Sequence, residues 1–83
     1  MSNEELIKKL KSEGYYLEIR ELEDGSIIGL GELLYTRAIY TNMNDSGYES
    51  RYCFDVKERA NEEFWKLKDM DSEPEGYIAK RAV

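Results

Sequence analysis

Asp24 and Gly25 join two stretches of strand-forming residues, and this pair restricts the fold more than any other feature of the chain. A type I′ turn needs positive φ at both of its central residues, which aspartate followed by glycine tolerates. Residues 15–20 alternate with the period of a half-buried strand. The two alternating sets are Tyr15, Leu17 and Ile19, and Tyr16, Glu18 and Arg20. Residues 27–31 would return beside them, so the sequence predicts a β-hairpin.

The returning strand contains two glycines, Gly29 and Gly31, on either side of Leu30. Such a triplet can belong to a phosphate-binding loop, but that loop needs a third glycine and a helix directly after it. The sequence that follows has neither. We therefore expect the glycines to mark a bulge or a bend in the strand.

Two further strands are predicted in the middle of the chain. Residues 33–41 (LLYTRAIYT) are rich in β-branched and aromatic types and predict the third strand. Residues 42–47 (NMNDSG) form a polar loop that ends in glycine. Residues 47–55 (GYESRYCFD) then predict a fourth strand, paired back on the third.

A short helix is predicted at the start of the chain, over residues 2–13. Ser2 and Glu5 have the spacing of a capping box, and Gly14 is typical of the position after a helix. The apolar stripe consists of Leu6, Ile7 and Leu10. A helix of this length is not stable alone, so it must dock on the rest of the chain or fray.

A second helix is predicted where the apolar period changes from two to 3.6, at Asp55. Asp55 is the expected N-cap of a helix over residues 56–69, and Glu58 stands at the capping-box position. Its apolar face is Val56, Ala60, Phe64 and Leu67. Trp65 lies beside this stripe, and we expect it at the edge of the core rather than in a binding hot spot.

The chain ends with an acidic loop (DMDSEPEG) and a short strand predicted over residues 77–83. The predicted order is therefore α-β-β-β-β-α-β. This order describes a single α+β domain over residues 1–83, with two helices and a mostly antiparallel sheet of four to five strands. The pattern leaves open whether the last strand joins the edge or the middle of the sheet.

The fourth strand presents two different faces because alternate residues point to opposite sides. The two sets are Tyr48, Ser50, Tyr52 and Phe54, and Glu49, Arg51, Cys53 and Asp55. We expect the aromatic set to face the core, under the second helix. In the third strand the uncharged set is Leu34, Thr36, Ala38 and Tyr40, and we assign it to the inner face. This choice places five candidate contact residues on one outer face: Tyr35, Arg37, Ile39, Glu49 and Arg51.

That outer face has three interpretations. It is a solvated surface on which Arg51 pairs with Glu49 or with an acid across the strand. Alternatively it contacts another protein or a second copy of the chain, because tyrosine and arginine are enriched at protein interfaces. In the third interpretation the N-terminal helix covers it.

The composition argues against catalysis and against a metal or cofactor. The chain has no histidine and one cysteine, so the usual zinc ligands and the histidine-dependent nucleophile pairs are missing. Cys53 is expected to be a small buried or half-buried residue rather than a reactive thiol, since it has no resolving cysteine or base. The eighteen acidic residues are expected to solvate the surface. We therefore do not expect an enzyme.

The net charge of −6 favours a protein partner with a basic surface over direct binding to nucleic acid, because the basic residues are scattered. No apolar run approaches the roughly 20 residues that cross a bilayer. The first residues have no basic segment followed by an apolar one, so they do not resemble a secretory signal. A cytoplasmic location is expected.

The second half of the chain resembles small uncharacterised proteins encoded by phages and prophages. The shared pattern is an aromatic-x-x-Arg-aromatic-Cys-aromatic run, then a helix, then a Glu-Pro-x-Gly-aromatic tail. The matching residues are Tyr48, Arg51, Tyr52, Cys53, Phe54, Ala60, Trp65, Glu73, Pro74, Gly76 and Tyr77. The chain departs from the pattern in its lysine- and glutamate-rich helix and in Tyr52, where tryptophan is common. The resemblance implies a genomic context and no particular chemistry.

Together these features predict a small phage-like accessory protein that acts by protein–protein contact, by occupying a basic surface of a host protein. The alternative is a self-associating structural module, in which the half-apolar sheet face is the dimer interface.

Overall fold

The computed structural model describes residues 2–82 of the chain. Within these residues, two helices and five strands follow in the predicted order. They are α1 (Asn3–Glu13), β1 (Tyr16–Glu21), β2 (Ile27–Glu32), β3 (Arg37–Thr41), β4 (Ser50–Phe54), α2 (Lys57–Lys66) and β5 (Ala79–Ala82). The strands form one antiparallel sheet in the order β1-β2-β3-β4-β5, so β5 lies at an edge. The α+β fold is confirmed; Met1 and Val83, within the predicted domain, lie outside the described residues.

The two helices cover opposite faces of the sheet. Helix α1 packs along β1, and α2 crosses β2, β3 and β4 on the other side. We call these sides the α1 face and the α2 face. The α1-face core consists of Leu6, Leu10, Ile19, Ile27, Ala38, Tyr40, Met43 and Cys53. The α2-face core consists of Leu22, Ile28, Leu30, Ile39, Tyr52, Phe54, Ala60, Phe64 and Leu67.

Helix α1 has the ends that the sequence predicts. The Ser2 hydroxyl accepts a hydrogen bond from the Glu5 backbone N–H at 3.2 Å, which satisfies one free donor of the first turn. Gly14 ends the helix with φ 76°. Leu6 and Leu10 are buried against the α1 face, so the helix is held by docking, as its length requires.

The β1–β2 hairpin forms as predicted, but its turn is not type I′. The Gly25 backbone N–H donates to the Leu22 carbonyl at 3.0 Å, and the Leu22 N–H donates to the Ser26 carbonyl at 2.8 Å. Gly25 has φ 88°, whereas Asp24 has negative φ. This geometry is that of a three-residue loop with glycine in the left-handed position. Asp24 instead uses its carboxylate, which accepts from the backbone N–H groups of Ser26 and Met70.

The alternation in β1 is interrupted by a bulge. The pairing with β2 shifts between Tyr16 and Glu18, and Leu17 between them is 47% exposed. Tyr15, just before the strand, is also exposed, whereas Ile19 is buried. Tyr16 turns to the α1 face and packs edge-on against the ring of Tyr40, with centroids 5.3 Å apart. The predicted alternation of the two sets of β1 residues is therefore correct only from Glu18 onward.

The two glycines of β2 make room for large side chains. The expected bulge or bend is wrong at this position, since β2 pairs regularly with β3 and the bulge lies opposite, on β1. A β-carbon on Gly31 would stand 2.6 Å from Cε2 of Tyr40, and one on Gly29 would stand 2.6 Å from Sδ of Met43. The absent side chains thus leave the space that Tyr40 and Met43 fill on the α1 face.

The third and fourth strands are shorter than predicted. Residues 33–36 form the β2–β3 turn, in which the Leu33 N–H donates to the Thr36 carbonyl at 2.8 Å. Leu34 and Tyr35 in this turn are each 83% exposed. Strand β4 begins at Ser50, and Tyr48 before it packs against Tyr40 on the α1 face. The expected grouping of Tyr48 with Tyr52 and Phe54 is therefore wrong, although those two do face α2.

Helix α2 begins later and ends earlier than predicted. Its N-cap is Val56 rather than Asp55, and no side chain of the described residues caps it. Val56 is 53% exposed, so the buried face is Ala60, Phe64 and Leu67. At the other end the Arg20 guanidinium donates to the carbonyls of Phe64 and Leu67, at 2.9 and 2.8 Å. These bonds satisfy carbonyls that the helix leaves free.

Trp65 is 56% exposed, so its expected place at the edge of the core is wrong. Its ring packs edge-on against Phe64 with centroids 5.0 Å apart, and the Arg20 guanidinium lies 5.6 Å from the Trp65 ring centroid. Trp65 follows Phe64 on α2, and successive residues of a helix point in different directions, so the indole lies outside the stripe that contacts the sheet.

The connection from α2 to β5 contains residues 73–77 (EPEGY), and several of these residues contact α2 or the sheet. Pro74 is fully buried, and the Glu75 N–H donates to the buried Glu63 carboxylate at 2.8 Å. The Tyr77 ring packs edge-on against Tyr52 at 5.0 Å. The tail pattern therefore fixes the connection to α2 and to the sheet before β5 begins.

Candidate protein-contact surfaces

The register of β3 and β4 separates the two arginines that the sequence placed together. Arg37 pairs with Phe54, and Tyr40 pairs with Arg51. Because cross-strand partners share a face, Arg37 lies on the α2 face and Arg51 on the α1 face. The expected single outer surface is therefore wrong. The sequence could not resolve this point, since both alternating sets of β3 are largely apolar and both are buried.

The α2-face candidates are mostly engaged within the fold. The Arg37 guanidinium donates to the Asn61 side chain at 3.0 Å and to the Glu32 carboxylate at 3.2 Å. Lys57 bonds to the same carboxylate, and together they lower the pKa of Glu32, with the Lys57 hydrogen bond as the larger cause. Ile39 is fully buried and contributes to no exposed surface. Tyr35 remains exposed, in the β2–β3 turn.

Arg51 lies on the part of the α1 face that α1 does not cover. Its expected partner Glu49 instead accepts from the Asn42 side-chain amide at 3.1 Å. The residues directly across from Arg51 are Tyr40 on β3 and Arg81 on β5. Its Nε is buried and has no hydrogen-bond partner among residues 2–82. Two arginines thus stand side by side in an acidic protein.

Arg81 is a residue that the sequence reasoning missed. The signal was present in the predicted final strand, where alternation puts Lys80 and Arg81 on opposite faces. The sequence alone could not predict which strand pairs with this final strand. Only the edge position beside β4 brings Arg81 opposite Arg51.

Four segments of the chain converge at one end of the sheet, which we call the acidic end. They are residues 2–5, 21–26, 42–49 and 68–71. The Asn3 amide donates to the Gly25 carbonyl at 2.8 Å, which joins the first two segments. The Glu23 N–H donates to the Lys68 carbonyl at 2.9 Å, and the Met43 N–H donates to the Ile27 carbonyl at 2.9 Å. These two hydrogen bonds connect residues 68–71 and residues 42–49 to the β1–β2 hairpin.

The acidic end carries more negative charge than the whole protein. Lys68 is the one basic residue in its four described segments, against nine carboxylates. These are Glu4, Glu5, Glu21, Glu23, Asp24, Asp45, Glu49, Asp69 and Asp71. The excess of eight negative charges exceeds the net charge of −6, so the remaining residues are net positive by two. Sequence order hides this segregation, because the segments are far apart in the chain.

One carboxylate of the acidic end has a structural role that depends on pH. Hydrogen bonds from the backbone N–H groups of Met70 and Ser26 hold the pKa of Asp24 below its usual value of 3.8. A lowered folded-state pKa stabilises the fold above the usual value, and this contribution is lost as pH falls through the folded-state pKa.

We therefore expect Asp24→Asn to reduce the pH dependence of stability on the acid side. Urea midpoints measured from about pH 6 down to about pH 2 should fall less steeply than in the wild type. Asp45→Asn is the matched control, because Asp45 is exposed in the β3–β4 loop and removes the same charge. Equal slopes for Asp24→Asn and wild type would contradict the assignment.

The opposite end of the sheet exposes several large apolar side chains. Its exposed large side chains come from the start of β1, the β2–β3 turn, the start of α2 and the start of β5. They are Tyr15, Leu34, Tyr35, Val56 and Ile78. The molecule therefore has an acidic end and, at the other end of the strands, large exposed apolar side chains beside the Glu32–Lys57 ion pair.

One further charged cluster lies on the α2 face of β5. The Glu73 carboxylate accepts from Lys80 at 2.8 Å and from the Tyr52 hydroxyl at 3.1 Å. The hydrogen bond from Lys80 is the larger cause of a lowered pKa at Glu73, and the pKa of Lys80 is raised in turn. The cluster fastens β5 to the preceding loop.

Residues 2–82 contain no group of three side chains arranged to hold a metal ion. In the same part of the chain, no helix has the length and apolarity that crossing a membrane requires. No protein-family model, curated protein or solved structure matches this chain.

Proposed function

We propose that this chain is a small accessory protein, of the kind that phages encode, which acts by binding another protein through its acidic end. The observation that supports the proposal is the segregation of charge. Nine carboxylates from four segments meet one lysine there, while the remainder of the chain is net positive. The partner surface is therefore basic, such as a face that would otherwise bind nucleic acid.

Electrostatic complementarity of this kind mainly raises the association rate and the specificity. A focused patch of one sign steers an oppositely charged partner and can raise the association rate by about 10- to 1000-fold at low salt. The acidic end suits this role because eight of its nine carboxylates lie on loops or at the start of α1, and the ninth, Glu21, is the last residue of β1. The binding should weaken as salt is added, since surface charges are screened within about 8 Å at physiological ionic strength.

The test is affinity capture with a charge-neutralised variant of the acidic end. We expect wild-type protein to capture one or more basic proteins from host lysate at low salt and to release them at high salt. The variant Glu21→Gln, Glu23→Gln, Asp45→Asn, Asp71→Asn should lose these partners, and with a purified partner its association rate should fall at least about tenfold.

A matched variant neutralises four carboxylates away from the acidic end: Glu13→Gln, Glu18→Gln, Glu58→Gln and Glu62→Gln. It has the same net charge as the test variant and should keep the partners. Thermal melting of both variants establishes that they are folded. If both variants retain the same partners, or if both lose them equally, the acidic end is not the binding surface.

A further inference from the structure

Strand β5 is an exposed edge of the sheet. It pairs with β4 on one side only, and all of its residues are exposed. The other side of such a strand carries backbone N–H and C=O groups that have no partner strand. An extended peptide can pair with these groups and add a strand to the sheet.

The two faces of this edge differ in charge. On the α2 face Lys80 is already bonded to Glu73, and its ammonium lies 5.1 Å from the Tyr52 ring centroid. On the α1 face Arg81 stands directly opposite Arg51. Among the described residues, neither arginine has an ion-pair partner. The basic charge that remains available at the edge is therefore on the α1 face.

The Arg51–Arg81 pair places two positive charges directly opposite each other on neighbouring strands. Side chains directly opposite each other on adjacent strands have β-carbons about 4.5–5.5 Å apart, and like charges in this arrangement repel. A carboxylate placed beside the pair would offset this repulsion, because arginine forms strong bidentate bonds with carboxylates.

We propose that the β5 edge binds an extended acidic segment of another protein by strand addition. The segment pairs its backbone with β5, and its alternate side chains on the α1 face place carboxylates against Arg81 and Arg51. This site goes beyond the function proposed above. It lies outside the four acidic segments, and it binds an acidic segment, whereas the acidic end binds a basic surface. The two sites would let the chain contact two surfaces at once.

A second copy of the chain is a poorer occupant of this edge. Antiparallel pairing of β5 with itself would bring Lys80 and Arg81 of both copies together, which adds like charges to a surface that already has them. An acidic segment has the charge that this edge lacks. The occupant is thus identified by charge complementarity.

The experiment uses the whole protein and labelled peptides of about seven residues. It is done at about 150 mM salt, which weakens the repulsion of the acidic peptide by the acidic end beside Ala82. The first peptide alternates glutamate with valine, and the second has lysine in place of glutamate. The third is the glutamate peptide with alternate backbone amides methylated, which removes the donors needed for strand pairing. Fluorescence anisotropy should show binding of the first peptide only.

Arg81→Glu should weaken binding of the glutamate peptide at least about tenfold, and Arg51→Glu, Arg81→Glu together should shift the preference to the lysine peptide. Lys9→Glu is the control, because it makes the same charge change on the exposed side of α1. The variant with a neutralised acidic end should keep peptide binding, so failure of one site is distinguished from failure of the other.

Three results would overturn the proposal. One is equal affinity of wild type and Arg81→Glu for the glutamate peptide, in variants shown by melting to be folded. Another is equal binding of the methylated peptide, which would leave only an ionic contact. The third is self-association of the wild type in light scattering that Arg81→Glu abolishes, which would make a second copy the occupant.

Discussion

Phe64→Ala is expected to lower the free energy of unfolding by about 3–5 kcal/mol, the usual cost of removing a fully buried aromatic ring. Phe64 has no exposed surface and packs α2 against the α2 face of the sheet. A domain of 83 residues has a total stability on the order of 4–12 kcal/mol. The loss is therefore a large fraction of the total. Urea unfolding followed by circular dichroism measures it, since the control variant removes the single tryptophan of the chain.

Trp65→Ala is the control for Phe64→Ala, because it removes a larger ring from the adjacent residue. Trp65 is 56% exposed, so its loss should cost no more than about 1 kcal/mol. Should Phe64→Ala prevent folding altogether, Phe64→Leu provides a milder truncation that must still cost more than Trp65→Ala. An equal or larger effect at Trp65 would contradict the position of the helix on the sheet.

Gly31→Ala is expected to destabilise the protein by about 1–3 kcal/mol, although alanine normally suits a strand as well as glycine does. The added methyl group would overlap the ring of Tyr40 at 2.6 Å. That ring cannot move aside easily, because it is held edge-on between Tyr16 and Tyr48, with centroids 5.3 and 4.7 Å away. Thermal or urea unfolding measures the loss.

A double-mutant cycle shows whether Tyr40 is the cause. In a Tyr40→Leu background the methyl group of Gly31→Ala has space, so its cost should fall by at least about 0.5 kcal/mol. Additive effects of the two substitutions would indicate that the alanine acts elsewhere. A neutral Gly31→Ala would show that the aromatic row on the α1 face tolerates the extra carbon.

Local patterns predicted the elements well. Helix α1, the β1–β2 hairpin, the pairing of β3 with β4 and the order of all the described elements follow from capping residues, turn residues and apolar periods. Each depends on residues close together in the chain. The errors at element ends have local causes too: a bulge at Leu17, a turn over residues 33–36, and an N-cap at Val56 in place of Asp55.

The candidate surfaces could not be predicted in the same way, because they depend on register and on which strands are neighbours. Assigning the inner face of β3 from sequence requires one of its two alternating sets of residues to be more polar than the other. Because a helix covers each side of the sheet, both sets are buried and largely apolar, so this difference is missing. Ile39 was consequently assigned to the surface although it is fully buried. The Arg51–Arg81 pair and the acidic end join residues that are distant in the sequence, so only the fold brings them together.

The course of the chain through the acidic end determines how the protein can be attached to a surface or a label. Helix α1 begins there, beside Gly25, and β5 runs toward it, with Ala82 opposite Ser50. A bulky tag at either described end would therefore crowd the carboxylates proposed to bind the partner. The β2–β3 turn lies at the other end and offers a better tether. Because Cys53 is buried, Tyr35→Cys would provide a selectively reactive thiol that leaves the acidic end facing solution.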